Sequence, residues 1–277
     1  MAQQILKDQG IKIPFITTLH GTDITLVGKD PSFEPVINFS INHSNMVTAV
    51  SESLKKETHQ LFDIKKEIKV IPNFICLNEY KLDNNEFYKK RFAPNNEKII
   101  CHVSNFRKVK RIEDVLTTFE EISKKTEVKL ILVGDGPERP RLEKISRKSD
   151  FKENIFFLGS LKSTKEVLNI SDLFILPSSK ESFGLSALEA MACSVPVIAS
   201  NSGGIPEVVI HEESGLLNEV GDTNQMTINA LKIISNHDTL EKYKSNALNQ
   251  AKSFDIEIIL PRYENLYREC VSYYLSN

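Results

Sequence analysis

The sequence of 277 residues has little net charge, no closely spaced cysteine pair and no long hydrophobic run. Its net charge of −2 and isoelectric point near 6.3 give no overall positive field for nucleic acid or an anionic membrane. The longest apolar runs have the length of a strand, which is too short to span a bilayer. A nucleic-acid-binding module and a membrane span are therefore disfavoured.

The cysteines and histidines are too dispersed for a disulfide framework or a metal site. The four cysteines form no Cys-x-x-Cys pair, which favours a reducing cytoplasm. Cys101 lies in an apolar run and Cys193 at the end of a predicted helix, where buried thiols are the usual case. None of the six histidines pairs at ligand spacing, so no metal is expected.

Several motifs typical of nucleotide-binding proteins and of serine hydrolases are also missing. The sequence has no Gly-x-Ser-x-Gly and no Walker A lysine motif. Gly134-Asp135-Gly136 follows a predicted strand but lacks the third glycine of the dinucleotide fingerprint. This argues against an NAD-type cofactor and leaves a simple tight turn as an alternative. No cofactor is expected.

Strands and helices alternate along most of the chain, which predicts an α/β fold with a parallel, doubly wound sheet. The composition, 40% hydrophobic with 11 Gly and 11 Pro, is typical of two globular domains of this kind. From residue 98 the pattern predicts strands at 98–103, 129–133, 155–158, 173–176, 195–199 and around 216. Predicted helices lie between them at 112–123, 138–149, 163–170, 184–192 and 206–210. From residue 223 to the end the pattern is helical, with breaks at Phe254-Asp255 and Pro261.

The first part of the chain predicts fewer elements, with strands at 11–19, 46–50 and 68–71. Helices are predicted at 31–43 and from a cap at Ser51 to about residue 62. The polar stretch 77–96 predicts a domain boundary. We therefore expect domains at 1–92 and 93–254, and a C-terminal helix at 255–277 that packs back toward the first domain. A helix-like segment, 1–7, leads directly into a strand, so the first domain is expected to be incomplete.

The stretch from Lys180 to Ala192 has the strongest features of a ligand site. An apolar strand ends just before it, and a helical pattern begins after Glu181. Such a turn leaves backbone N–H groups free at the helix start, where they can bind an anion. Gly184 lets a ligand approach the backbone closely, and Glu181 and Glu189 bracket the turn.

Three further loops follow predicted strands and therefore meet at one edge of the sheet. They are the basic loop 104–111, the glycine turn 134–137 and the Gly-Gly-Ile-Pro loop 201–207. A solvated charge run or a tight turn would explain each loop alone, but their convergence favours a ligand cleft. In the first loop, Arg107 and Lys110 would suit a diphosphate.

His20 ends the first predicted strand and opens a polar loop, His20-Gly21-Thr22-Asp23. Open α/β sheets bind their ligands at this end of their strands. The alternative is a structural histidine whose ring nitrogens form hydrogen bonds within the protein. The sequence leaves both interpretations open.

Taken together, these motifs resemble the family-four retaining glycosyltransferases of the GT-B fold, which has two Rossmann-like domains with parallel sheets. The resemblance covers nearly the whole chain. It rests on Glu181-Ser182-Phe183-Gly184-Leu185 through Glu189, the family's Glu-x7-Glu signature, and on 134–137, 202–207 and 213–217. Segments 17–28 and 104–111 resemble more narrowly the members that move N-acetylglucosamine from UDP-N-acetylglucosamine to L-malate in bacillithiol biosynthesis.

The resemblance implies roles for the matched residues and no metal. Arg107 and Lys110 would neutralise the leaving diphosphate, while Glu181 would hold donor-sugar hydroxyls and Glu189 the ribose hydroxyls. The family's usual arginine aligns with Asn105, so the equivalence of Arg107 to it is open. The implied catalytic residues are His20, Arg107, Lys110 and Glu181; the donor-binding residues are Asn105, Gly136, Phe183, Gly184, Leu185 and Glu189; and the acceptor-binding residues are Thr22 and Asp23.

The expected partners are a UDP-sugar donor and a small hydroxy-acid acceptor, and a homodimer is left open. Three alternatives remain at this point. They are a family-four hexosyltransferase with another acceptor, a nucleotide-sugar isomerase of similar architecture, and an inactive UDP-sugar-binding fragment. Family members begin with a first strand and a glycine-rich loop that shape the acceptor pocket, and both are expected to be missing from this sequence.

Overall fold

The computed structural model describes residues 5–6, 8–10, 13–25, 30–80 and 86–275. Residues 1–4, 7, 11–12, 26–29, 81–85 and 276–277 lie outside the described residues. Parts of the predicted first helix and first strand, of segment 17–28 and of the predicted boundary at 77–96 therefore fall there. The four cysteines are free, and three of them, Cys101, Cys193 and Cys270, are buried.

The described residues form strands and helices that alternate along the chain. The strands are β1 (Ile16–Leu19), β2 (Met46–Ala49), β3 (Ile68–Val70), β4 (Lys98–Val103), β5 (Val128–Val133), β6 (Ile155–Gly159), β7 (Leu173–Leu176), β8 (Val197–Ser200) and β9 (Gly215–Asn218). The helices are α1 (Thr22–Thr25), α2 (Glu34–Asn42), α3 (Glu52–Leu61), α4 (Glu86–Phe92), α5 (Ile112–Ser123), α6 (Arg139–Ser146), α7 (Lys165–Asn169), α8 (Leu185–Ala192), α9 (Ile205–Val208), α10 (Thr223–Ile234), α11 (His237–Lys252) and α12 (Ile256–Leu275).

The chain divides into two compact units. The first consists of residues 1–74 and 256–277, and the second of residues 75–255. The sequence-based boundary after residue 92 falls inside the second unit. The polar stretch 77–96 contains a 3-10 turn, Leu77–Tyr80, and helix α4. The edge-on contact of Phe92 with Phe156 fixes α4 to the second unit. The assignment of the units to acceptor and donor stays a prediction.

The first unit is a parallel sheet in the order β1-β2-β3, with Ile16 opposite Met46 and Val47 opposite Ile68. Helix α12 packs on it through Ile259 and Leu266, which cluster with Ile71. The loop predicted at 20–23 is shorter than expected because α1 begins at Thr22. Pro261 was wrongly predicted to break the last helix. It lies inside α12, where its missing N–H removes one backbone hydrogen bond, and the helix continues because Ile259 and Leu266 on either side of it are buried.

The second unit has a six-stranded parallel sheet in the order β6-β5-β4-β7-β8-β9. Its core forms because apolar side chains recur on one face of each helix. In α5, Ile112, Val115, Leu116, Phe119 and Ile122 follow helical spacing and are all buried. The predicted α/β class with parallel sheets is confirmed.

A stability test applies to the first unit. The hydroxyl of Ser51 accepts a hydrogen bond of 3.0 Å from the backbone N–H of Leu54 and caps α3. We expect Ser51→Ala to lower the free energy of unfolding by about 1 kcal/mol, measured by urea denaturation. Ser235→Ala, at an exposed helix end, is the matched control and should change little. Equal losses in the two variants would contradict the capping role.

Candidate functional site

The strand order of the second unit reverses between β4 and β7, because successive strands extend in opposite directions from these two neighbours. In open α/β sheets, loops on either side of such a point separate and leave a crevice at the carboxyl ends of the strands. Lys110 lies in the loop after β4, on the 3-10 turn Lys108–Lys110. Glu181 lies in the loop after β7. The fold thus brings together two of the predicted catalytic residues.

Lys110 and Glu181 form a direct ion pair, with Nζ 2.6 Å from Oε2. Both side chains are largely buried, with exposed fractions of 18% and 15%. An ammonium group has three donors and a carboxylate about four acceptor positions, so each partner keeps capacity for a ligand. The pair can therefore present a positive charge to an anion and an acceptor to a hydroxyl group within one crevice.

Hydrogen bonds fix the loops that carry this pair. The backbone N–H of Ser179 donates to the carbonyl of Val109 at 2.9 Å, which joins the loops after β7 and β4. The hydroxyl of Ser202 donates to the carbonyl of Ser179 at 2.9 Å, and the N–H of Gly204 donates to the carbonyl of Glu181 at 2.9 Å. The loops after β4, β7 and β8 consequently form one connected layer.

Gly203 is required where two of these loops meet. Its φ of +58° is unfavourable for side-chain-bearing residues, and a Cβ placed on it would lie 1.9 Å from the carbonyl oxygen of Glu181. The turn predicted at 201–207 therefore serves the close approach of two backbones. This contact holds the backbone of Glu181.

The glycine turn after β5 packs against the loop after β4. The backbone N–H of Phe106 donates to the carbonyl of Asp135 at 2.8 Å, and the N–H of Glu138 donates to the carbonyl of Phe106 at 2.9 Å. The N–H of Gly136 donates to the Asp135 carboxylate at 2.7 Å. Gly136 therefore lies in the layer of loops, and its role toward a ligand stays a prediction.

Helix α8 begins directly after Gly184, whose φ is +96°. Phe183 is buried and packs edge-on against Phe254, with ring centroids 5.7 Å apart, so its contribution to a ligand site is limited to its backbone. Leu185 is 41% exposed. The first N–H groups of a helix lack intrahelical partners and form a site suited to an anion.

Glu189, the second glutamate of the motif, lines a cavity whose walls do not include Glu181. This cavity, of about 430 Å³, is lined by Glu79, Tyr80, Lys162, Ser163, Thr164, Lys165 and Glu189. Burial raises the pKa of Glu189, while hydrogen bonds from Tyr80 and Thr164 act in the opposite direction. Two hydroxyl donors thus hold a half-buried carboxylate at the cavity wall.

His102 is a buried polar residue of β4 that the sequence analysis did not single out. Its Nδ1 lies 2.8 Å from the carbonyl oxygen of Ile175, and its Nε2 lies 2.7 Å from the hydroxyl of Ser104. Because a carbonyl only accepts, Nδ1 carries the proton, and Nε2 of the neutral ring accepts from Ser104. Burial lowers the pKa of His102 to about 4, and the charge of Lys110 acts in the same direction. The only signal in the sequence was a histidine within an apolar strand.

The remaining predicted residues are more exposed. Asn105 and Arg107 lie in the loop after β4 with exposed side chains. His20 and Thr22 are exposed at the carboxyl end of β1 in the first unit. The side chain of Asp23 lies outside the described part of the chain. The roles predicted for these residues stay predictions.

The described residues contain no group of three or more His, Cys, Asp or Glu side chains placed to hold a metal ion. The expectation that no metal is needed stays a prediction. In the same part of the chain, no helix is both long and apolar enough to cross a lipid bilayer.

Comparison with known proteins identifies the family. The family model described as glycosyl transferases group 1 matches residues 83–250, which is more than half of the chain. The chain is a group 1 glycosyltransferase. A second model, described as glycosyltransferase family 4, matches residues 4–79 of this glycosyltransferase.

Several curated relatives carry related names. The N-acetyl-alpha-D-glucosaminyl L-malate synthase of Bacillus anthracis is 42% identical over 269 residues, which cover 96% of this glycosyltransferase and 70% of the relative. The 2-deoxystreptamine N-acetyl-D-glucosaminyltransferase of Niallia circulans is 30% identical over 54% of this chain and 41% of its own.

Solved structures share the fold. Sucrose-phosphate synthase from Thermosynechococcus elongatus superposes with a TM-score of 0.82 at 23% identity, covering 97% of this chain and 71% of that chain. Anabaena Alr3699/HepE, solved in complex with UDP and glucose, superposes with a TM-score of 0.80 at 21% identity, covering 96% and 76%. These similarities establish the GT-B fold of this glycosyltransferase.

The contact at Gly203 yields a test of how this glycosyltransferase holds Glu181. Gly203→Ala should destabilise the second unit by roughly 2 kcal/mol or more, because the new Cβ meets backbone that cannot yield. Gly221→Ala is the matched control. Its φ is also positive, +87°, but its Cβ would meet only the flexible end of Arg111, so the loss should be about 1 kcal/mol. Urea unfolding measures both, and equal losses would contradict the backbone contact.

His102 yields a test of pH dependence. Its pKa of about 4 in the folded protein lies below the ordinary value of 6.5, so the folded state binds fewer protons than the unfolded state between these values. Stability from this residue is complete above pH 6.5 and falls as the pH drops toward 4, by about 3 kcal/mol in total. We expect His102→Gln to remove that part of the pH dependence. Urea unfolding at pH 7.5 and 4.5 measures it, and an unchanged difference between the two pH values would refute the assignment.

Proposed function

We propose that the chain transfers N-acetylglucosamine from UDP-N-acetylglucosamine to L-malate with retention of configuration, as a step of bacillithiol biosynthesis. The observation that carries the proposal is the 42% identity to the N-acetyl-alpha-D-glucosaminyl L-malate synthase over 96% of this chain. The arrangement of Lys110 with Glu181 at the switch point supports a nucleotide-sugar donor. Free cysteines fit a reducing compartment, and we place the reaction in the cytoplasm.

Lys110 is proposed to stabilise the diphosphate as it leaves. Its Nζ lies at the carboxyl end of the central strands, and its partner Glu181 holds it in a partly buried crevice where charge is less screened than in water. Arg107, exposed three residues earlier in the same loop, adds a second cation. The backbone N–H groups at the start of α8 supply further donors to phosphate or sugar oxygens.

The carboxylates are proposed to bind hydroxyl groups. Glu181 would accept from the donor sugar, and Glu189, which is hydrogen-bonded to Thr164, would accept from the ribose. Because Glu189 is hydrogen-bonded and Glu181 ion-paired within the second unit, neither serves as one of two acids that flank a scissile bond. His20, Thr22 and Asp23, in the first unit, are proposed to serve the acceptor.

The proposed step is a front-face substitution at the anomeric carbon. The bond from C1 to the UDP oxygen breaks while the bond from C1 to the malate hydroxyl oxygen forms on the same face. The proton of that hydroxyl passes to the departing phosphate oxygen, so the products are UDP and the N-acetylglucosaminyl malate. The enzyme contributes orientation of the two substrates and positive charge for the leaving group.

The test is release of UDP from UDP-N-acetylglucosamine, measured with L-malate, with 2-deoxystreptamine and without an acceptor. We expect release that depends on L-malate. Release that is equal with and without malate, or that only 2-deoxystreptamine raises, would overturn the acceptor assignment. Product isolated from the malate reaction should carry the α-linkage of the donor, and a β-linkage would overturn retention.

Lys110 is tested by substitution within its own turn. Lys110→Ala should lower kcat by about a hundredfold or more, because the enzyme loses one preorganised positive charge that stabilises the leaving diphosphate. Lys108→Ala removes an exposed lysine of the same 3-10 turn and should leave kcat near that of the wild type. If both variants lose activity equally, Lys110 has no special role toward the leaving group.

A further inference from the structure

Tyr80 lines the same cavity as Glu189, although it comes from the connecting segment at the start of the second unit. It is the last residue of the 3-10 turn Leu77–Tyr80, which contacts helix α8. Its hydroxyl is hydrogen-bonded to the Glu189 carboxylate, and Thr164 bonds the same carboxylate. Two neutral donors from different segments therefore meet on one carboxylate.

The backbone that carries Tyr80 is held at both ends. Before it, the N–H of Ile75 donates to the carbonyl of Phe254 at 3.1 Å, and the N–H of Leu77 donates to the Asp255 carboxylate at 3.3 Å. At Tyr80 itself, the thiol of Cys193, just beyond α8, lies 4.0 Å from the carbonyl oxygen. The phenol ring thus extends from a turn whose position relative to α8 is fixed.

The Tyr80 hydroxyl supports the Glu189 carboxylate as a donor and does not compete with it for the hydroxyl groups of a ligand. Burial and the nearby Glu189 carboxylate raise the pKa of Tyr80, so its hydroxyl stays protonated and donates. A carboxylate has about four acceptor positions, of which Tyr80 and Thr164 occupy two. Two positions remain, which is the number that two neighbouring hydroxyl groups of a ribose need.

We propose that Tyr80 is a positioning residue for the donor nucleotide, acting through Glu189, whose carboxylate it orients toward the ribose hydroxyls. This inference rests on the proposed function, since it takes UDP as the ligand of this cavity. It adds a residue outside the Glu-x7-Glu motif to the donor site. Binding of free UDP requires no acceptor, so the role can be measured separately from transfer to malate.

The experiment compares the binding of UDP and 2′-deoxy-UDP by calorimetry. We expect Tyr80→Phe to weaken UDP binding about tenfold, the effect of losing one hydrogen bond to a charged group. Binding of 2′-deoxy-UDP should weaken less, so the preference for the ribose 2′-hydroxyl shrinks. A merely structural role would weaken both nucleotides equally. Tyr88→Phe, which removes a hydroxyl from α4 outside this cavity, is the matched control and should bind both as the wild type does.

A double-mutant cycle with Glu189→Gln tests whether Tyr80 acts through that residue. In the Glu189→Gln background, Tyr80→Phe should have little further effect on UDP binding. A full additional loss there, or unchanged discrimination between the two nucleotides in Tyr80→Phe alone, would overturn the role of Tyr80 while leaving the proposed function intact. A wild-type chain that does not bind UDP would overturn both. Thermal unfolding of each variant excludes a general loss of structure.

Discussion

The site in the second unit depends on backbone hydrogen bonds between loops that follow different strands. The loop after β5 bonds the end of β6 and the loop after β4, the loop after β4 bonds that after β7, and the loop after β8 bonds the loop after β7 and the end of β9. A loop fixed only at its ends would move its side chains independently of its neighbours. Here the carboxyl edge of the sheet behaves as one layer, and a charge placed on it keeps its position relative to the others.

This layer explains why two glutamates of one motif have different environments. Glu181 precedes α8 and lies in the layer, where its backbone is held by Gly204 and its carboxylate by Lys110. Glu189 lies on α8 itself, where burial raises its pKa and hydroxyl donors oppose that rise. One carboxylate is neutralised by a cation and the other is supported by neutral donors. The first is suited to a site that must also hold a phosphate, and the second to a site for hydroxyl groups.

The sequence predicted those parts of the fold whose pattern is local. Strand β4 and helix α5 occur at the predicted residues, because an apolar run and a 3.6-residue period each determine one structure. Helix α4 was missed because its charged residues show no such period, and what fixes it is contact between Phe92 and Phe156. The break predicted at Pro261 failed because burial of Ile259 and Leu266, which the sequence does not show, keeps the helix continuous despite the proline.

In the candidate site, too, some residues could be predicted from the sequence and others could not. Glu181, Lys110 and Glu189 could be found because each belongs to a motif or a basic run at the end of a predicted strand. Tyr80 and His102 could not, because their importance comes from partners far along the chain, a carboxylate on α8 for one and a carbonyl of β7 for the other. A sequence read in order shows which residues follow a strand, but it does not show which side chains share a cavity.

The buried histidine shows how the sheet itself contributes to the electrostatics of the site. His102 stands on β4, and it is neutral because burial lowers its pKa, although the hydrogen bond from Nδ1–H to a carbonyl of the neighbouring strand acts in the opposite direction. A charged imidazolium there would repel Lys110 and favour its displacement from the crevice. By keeping this ring neutral, its burial in the sheet spares Lys110 that repulsion, and Lys110 pairs with Glu181. The position of the cation therefore depends on the burial of a β4 side chain as well as on the loop that carries the lysine.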